Sequence, residues 1–226
     1  MNTRQSRTLL WLAGALVLLA AAVMSFLPGE QGPALVRENG PVETLTVGLY
    51  VVACSLLLIR GLKSARAWHL TASFVVLLLA ARELDLHARF TTMGILKSRY
   101  YLSPEVPGDE KAIVIVLMLA IAAITAPFLW RSIPAFLRSL RLGAIPAVAV
   151  ALAFGCGVVS KLLDSFSSEI RALLTPLYGD SRTYLRVYEE TLELAIPLYI
   201  LLALWFSRAA QVEQNQTASQ DRTAHR

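Results

Sequence analysis

Six stretches of this 226-residue chain are apolar enough to decide its surroundings before anything else about it: residues 8–27, 44–59, 67–81, 112–130, 144–163 and 191–206. A helix of roughly 20 mostly apolar residues spans the hydrocarbon core of a bilayer. Inside that core every backbone N–H and C=O must be paired within the protein, which leaves helices or a closed barrel. Runs of this length without strand-like alternation select helices. The chain is 56% hydrophobic and only 16% charged, well outside the range of a water-soluble domain. The expected fold class is therefore all-α: a polytopic membrane protein built as a six-helix transmembrane bundle over residues 1–207. The polar, Gln-rich residues 208–226 are expected to form a disordered cytoplasmic tail. The second, third and sixth stretches are short by themselves, so their flanking residues must extend the helices into the interface.

Charge orients the bundle. Arg4 and Arg7 precede the first span, and Arg60, Lys63 and Arg66 join the second to the third. Arg131, Arg138 and Arg141 join the fourth to the fifth, and Arg208 follows the last. With alternating helices these all fall on one side, which the excess of cytoplasmic Lys and Arg identifies as the inside. Both termini are then cytoplasmic, and a bacterial-type inner (plasma) membrane is the expected location. The four tryptophans, Trp11, Trp68, Trp130 and Trp205, lie at the inner ends, whereas Tyr100, Tyr101, Tyr178, Tyr184 and Tyr188 lie at or beyond the outer ones. The first apolar run is longer than the 7–15 residues usual in a cleaved signal, so it reads as an uncleaved anchor.

The net charge of +5 does not indicate nucleic acid. Eleven bases face two acids on the inner side, and ten bases face fourteen acids on the outer side. The imbalance follows topology and contact with anionic lipid heads; membrane lipids are the expected partners, and no protein partner is specified. Cys54 and Cys156 both fall within spans and read as small buried thiols.

The outer acids are the candidate chemistry. Near the end of the third span, Glu83 and His87 would share a face at i and i+4 if the helix continued through Arg89. Arg82 with Asp85, or Asp85 with Arg89, would then be neighbouring ion pairs. Glu189, Glu190 and Glu193 open the sixth span, and Arg186 is placed to neutralise one of the first two. Glu43 sits in the first turn of the second span behind Pro41, where the helix dipole favours an anion and Asn39 is a plausible cap. Asp164 ends the fifth span with Lys161 three residues earlier. Residues 165–177 carry Phe166, Ile170, Leu173 and Leu174 at helical spacing, as an interfacial helix or a folded cap would. Solvated charges are ordinary at helix ends, but so many carboxylates at one face point to a shared polar site.

Pairing acids at the membrane edge with a histidine resembles the membrane-embedded zinc hydrolases of the ceramidase and adiponectin-receptor type, which use three metal-binding histidines. Here His69 is expected at the inner face and His225 in the tail. That leaves His87 alone, without a His-x-x-x-His in the last span, and the family is not assigned.

Two function classes fit. In the first, an enzyme acts on a lipid or lipid-linked substrate, with Glu83, Asp85, His87 and Glu193 as catalytic groups. Glu43, Glu83, His87, Asp164, Glu189 and Glu193 would supply ligands for a divalent metal ion, and Arg82, Lys97 and Arg99 would hold an anionic substrate. In the second, the same carboxylates couple transport to a cation or proton. A non-enzymatic membrane scaffold is the remaining alternative.

Overall fold

The computed structural model describes residues 3–27, 31–37, 40–170, 172 and 182–224. Glu30, Glu38, Asn39, Leu173, Leu174, Tyr178, Asp180 and His225, which figure in the sequence reading, lie outside the described residues. The described elements are helical: α1 (Thr3–Ser25), α2 (Gln31–Leu35), α3 (Pro41–Ser64), α4 (Ala67–Glu83), α5 (Leu86–Arg89), α6 (Ser98–Leu102), α7 (Gly108–Arg141), α8 (Ile145–Ser165) and α9 (Arg182–Ala224). Among the described residues, five helices (α1, α3, α7, α8 and α9) are long and apolar enough to cross a membrane. The third expected stretch forms α4, an apolar helix of 17 residues that is not among these five. As expected, Pro41 starts α3, where its missing N–H costs nothing. The backbone of α9 runs on as helix through the polar residues from 208 to Ala224, a stretch rich in the helix formers Ala and Gln.

The chain divides into two compact units, Met1–Leu49 with Leu137–Arg226, and Tyr50–Phe136. In the first, α9 packs mainly on α8 and then on α1. The seam follows helical periodicity: Ile145, Ala149 and Ala153 of α8 and Ala195, Tyr199 and Ala203 of α9 recur every four residues and are buried together with Leu10, Val17 and Phe206. Small residues let helix backbones approach closely, which in lipid replaces the hydrophobic drive available in water. A second cluster, Ala21, Val36, Val42 and Val187, seats the starts of α3 and α9 beside the end of α1. The α1 contact is tightest at Gly14, where an added Cβ would lie 2.7 Å from the Tyr199 hydroxyl. Gly14→Ala is expected to lower the melting temperature of the detergent-purified protein. Tyr199→Phe should restore most of the loss, because the clash is with the phenol oxygen alone; a double variant no better than Gly14→Ala would disprove this packing account.

At the junction of α7 and α8, Gly143 adopts φ +68. Its N–H donates to the Leu140 carbonyl at 2.9 Å, and the Ala144 N–H donates to the Ser139 carbonyl at 3.0 Å. This pattern caps a helix C-terminus with a left-handed residue, a role that suits glycine.

In the second unit, the adjoining parts of α3 and α4 are joined at mid-helix by Cys54 and Ser73. The Ser73 hydroxyl donates to the Cys54 carbonyl at 2.9 Å, and the two side chains are 3.2 Å apart. Both cysteines are free thiols, as expected. Nearer the turn, Gly61 lies directly against Leu70. At the start of α4, the Trp68 indole N–H donates to the Ser132 hydroxyl of α7 at 3.1 Å, with Phe128 beside it. That contact puts the start of α4 and the 128–132 region of α7 at the same end.

The connection from α4 to α7 is a folded cap. Ile95, Tyr100, Val106 and Val114 form its core. Glu110 ties it together, accepting from the Thr92 N–H at 2.9 Å, the Thr92 hydroxyl at 2.7 Å and the Tyr100 hydroxyl at 3.1 Å. Tyr100 is fully buried, and burial, with help from its bond to Glu110, pushes its phenol up to about 12. An ultraviolet titration should therefore show a tyrosine contribution near pH 12 that is lost in Tyr100→Phe. The raised value stabilises the folded state while the phenol is neutral in both states. That contribution is lost as pH rises from about 10 towards about 12, where the unfolded chain ionises first.

Candidate functional site

The start of α9 lies close to the end of α8 and the start of α3, and this brings five of the expected acids into one region of the first unit. Glu190 and Glu193, on successive turns of one face, offer carboxylate oxygens within 4.8 Å of each other. Glu193 accepts a hydrogen bond from the Ser160 hydroxyl at 3.1 Å. Ser160 is only 1% exposed, so its donor is aimed at the carboxylate rather than at water. Glu189 lies within electrostatic reach of Asp164 and Glu193, and Glu190 within reach of Glu189, Glu193 and Glu43. Two cations moderate this charge. Lys161 pairs with Asp164, as its spacing suggests, and Arg186 Nε stands 3.8 Å from Glu190 Oε1.

The fold explains why these groups meet. Val42, next to Glu43, is buried in the cluster that also holds Val187, which fixes the start of α3 beside the first turns of α9. The Ala-rich seam between α8 and α9 holds Ser160 and Asp164 beside the same turns. A carboxylate pair at this separation can chelate a hard cation, or share one proton because two like charges so close resist ionising together.

Two members of this region stand outside the ligand set expected from the sequence. Glu190 is one of the two acids that Arg186 is expected to neutralise, and its carboxylate comes within 4.8 Å of that of Glu193. Ser160 was not singled out at all. Its only sequence signal is its place one turn before Asp164, on the face of α8 that ends in that acid.

Glu83, Asp85, His87, Arg82, Lys97 and Arg99 belong to the second unit. The expected helical continuation through Arg89 does not occur. The α4 helix ends at Glu83, and Asp85 turns into the left-handed region at φ 49 before α5 begins. Asp tolerates this conformation better than most non-glycine residues. With the helix broken, Glu83 and His87 no longer share a face by helical spacing, and the i, i+3 and i, i+4 premises for Asp85 lapse as well.

Asp85 instead places its Oδ1 3.8 Å from His87 Nδ1, beyond hydrogen-bonding distance. That nitrogen is buried and has no hydrogen-bond partner among the described residues. The ring lies against Gly94, and the His87 carbonyl accepts from Ile95 N–H at 3.2 Å and from the Thr91 hydroxyl at 3.1 Å. His87 is thus held by the cap, with Asp85 as a nearby carboxylate. Lys97 and Arg99 are exposed on and beside α6. His69, expected at the inner face, stands in the first turn of α4 with its ring against Trp68.

Apolar helices of this number and length define an all-helical, multi-pass membrane protein. The chain matches no protein-family model, no curated protein and no solved structure.

Proposed function

We propose that this protein is a membrane enzyme acting on a lipid or lipid-linked substrate, in which Glu193 and its neighbouring carboxylates hold a divalent cation or move a proton. The observation that supports this most is the Glu190–Glu193 pair, with oxygens within 4.8 Å and Ser160 donating to Glu193. Glu43, Asp164 and Glu189 supply further oxygen ligands or tune the charge. A bound divalent ion would polarise a phosphoryl or acyl oxygen, or lower the pKa of a water. Without one, the pair would act as acid and base. The carboxylates lie at the ends of spanning helices, where a lipid headgroup can reach them and a soluble substrate has no advantage. Glu83 and the Asp85–His87 pair are offered as a second set of acid–base groups.

In this reading α4 is the sixth span, both termini are cytoplasmic, the membrane is a bacterial inner (plasma) membrane, and the carboxylates face outward. Reporter fusions at the two termini and at residue 105 should place the termini together and residue 105 on the opposite side.

Metal analysis of the detergent-purified chain tests the chemistry. About one divalent ion per chain is expected, and Glu190→Gln with Glu193→Gln should remove it together with cellular function. Full function in that double variant would refute the proposal. Metal-free protein in which Glu193→Gln abolishes proton-driven flux in liposomes would identify a transporter instead. Loss of function in His87→Ala with metal content unchanged would give His87 the acid–base role.

A further inference from the structure

Beside α6 the cap opens a groove of about 430 Å³, lined by Ser98, Arg99, Leu102, Ser103, Pro104 and Glu105. Arg99 and Glu105 place a cation and a carboxylate in the lining of this one groove. Neither has an ion-pair partner among the described residues. Leu102, the last residue of α6 and also in the lining, is 83% exposed and offers an apolar contact beside the two charges. The groove is not a product of loose chain. Adjacent Tyr100 is buried and bonded to Glu110, and the Ser103 carbonyl is held by Lys111 Nζ at 2.7 Å.

The depth of the groove follows from α7. This helix begins at Gly108, and its first strongly exposed apolar residue is Ile113, at 68%. Those five steps rise about 7.5 Å. The headgroup layer on each side of the hydrocarbon is about 5–8 Å thick. Lys111 on the Ser103 carbonyl and Glu110 on the Tyr100 hydroxyl tie the groove to the first turn of α7, so with α7 crossing a bilayer the groove would sit at headgroup level. Only 6% of the apolar window of α7 is buried within the protein, so lipid lies alongside the helix that leads down from the groove.

We propose that this groove binds the headgroup of an aminophospholipid: Arg99 meets the phosphate diester, Glu105 meets the primary ammonium, and Leu102 packs on the glycerol and upper acyl carbons. A free phosphate or a purely anionic lipid would satisfy Arg99 but be repelled by Glu105, whereas a zwitterionic head neutralises both. Arg99 is also an expected substrate contact of the enzyme reading, but the inference uses none of the α9 carboxylates and is read by bound lipid alone, so the two can fail separately.

The test is native mass spectrometry of the full-length detergent-purified chain, incubated with equal amounts of phosphatidylethanolamine, phosphatidylglycerol and phosphatidylcholine. The wild type should retain phosphatidylethanolamine preferentially. Glu105→Gln should weaken that retention about ten-fold, as expected for loss of one charge-assisted hydrogen bond, while leaving phosphatidylglycerol undiminished. Arg99→Gln should weaken retention of both. Both residues are exposed, so neither change threatens folding, and exposed Asp109→Asn should behave as wild type. Equal retention of the three lipids, preference for phosphatidylglycerol, or undiminished phosphatidylethanolamine in either groove variant would overturn the assignment.

Discussion

Gly61→Ala should lower the stability of the protein by about 1–3 kcal/mol, the usual range for overpacking a tight contact. A Cβ at residue 61 would lie 2.5 Å from Leu70 Cδ2, 2.9 Å from Cγ and 3.2 Å from the Leu70 backbone nitrogen. Rotating the leucine can relieve the first two contacts, but the third requires the two backbones to separate. Leu70→Ala should therefore rescue Gly61→Ala only in part, in contrast to the rescue expected for Gly14 by Tyr199→Phe. Thermal unfolding of the four proteins in one detergent provides the comparison. Complete rescue by Leu70→Ala would show that the backbone contact is unimportant. The approach has a position-specific cause: Gly61 is one turn before the end of α3, and Leu70 is in the first turn of α4.

Ser160→Val is the second large effect. Valine has the shape of threonine but no donor, so Ser160→Thr carries the same added bulk and isolates the hydrogen bond; Ser160 is 1% exposed, so water has little access to replace the lost bond to Glu193 Oε1. Leaving a poorly solvated carboxylate short of a donor costs about 1–3 kcal/mol, more when the group is charged. Ser160→Thr retains the hydroxyl and should retain most of the stability. The same pair of variants separates a structural from a functional role. If Ser160 also orients Glu193, Ser160→Val should lose bound divalent ion or activity in conditions where it remains folded, and Ser160→Thr should not. A Ser160→Val protein with wild-type melting and wild-type metal content would remove Ser160 from the site.

The helices were legible because hydrocarbon imposes a length and an apolarity that few other structures require. The N-terminal start of α3 was legible through Pro41, and the free state of both cysteines through their place in apolar runs. Neutralisation of Asp164 by Lys161 was legible from spacing alone, whereas spacing left Arg186 open between Glu189 and Glu190. The break at Asp85 was not. Residues 83–89 are compatible with helix one by one, and the left-handed turn is selected by the folded cap that follows, in which the His87 carbonyl is claimed by Ile95 and Thr91. Nor could spacing within α9 show that Ser160 of α8 would face Glu193, because that depends on the register between two helices 33 residues apart along the chain at this contact. Periodicity describes each helix well; the relative rotation of two helices is decided by which small residues let them approach.

The length of α4 has a consequence for the bilayer. Seventeen residues rise about 26 Å, a few ångströms short of an average hydrocarbon core of about 30 Å. In the proposed six-span topology, lipid beside α4 must therefore compress, or the polar residues at its ends must reach outward, at a fraction of a kcal/mol for each ångström of mismatch. In that topology the fit of α4 would depend on membrane thickness. The protein should partition towards thinner bilayers, and thickening the acyl chains of a reconstituted membrane should strain the end of α4 where Glu83 gives way to the turn at Asp85.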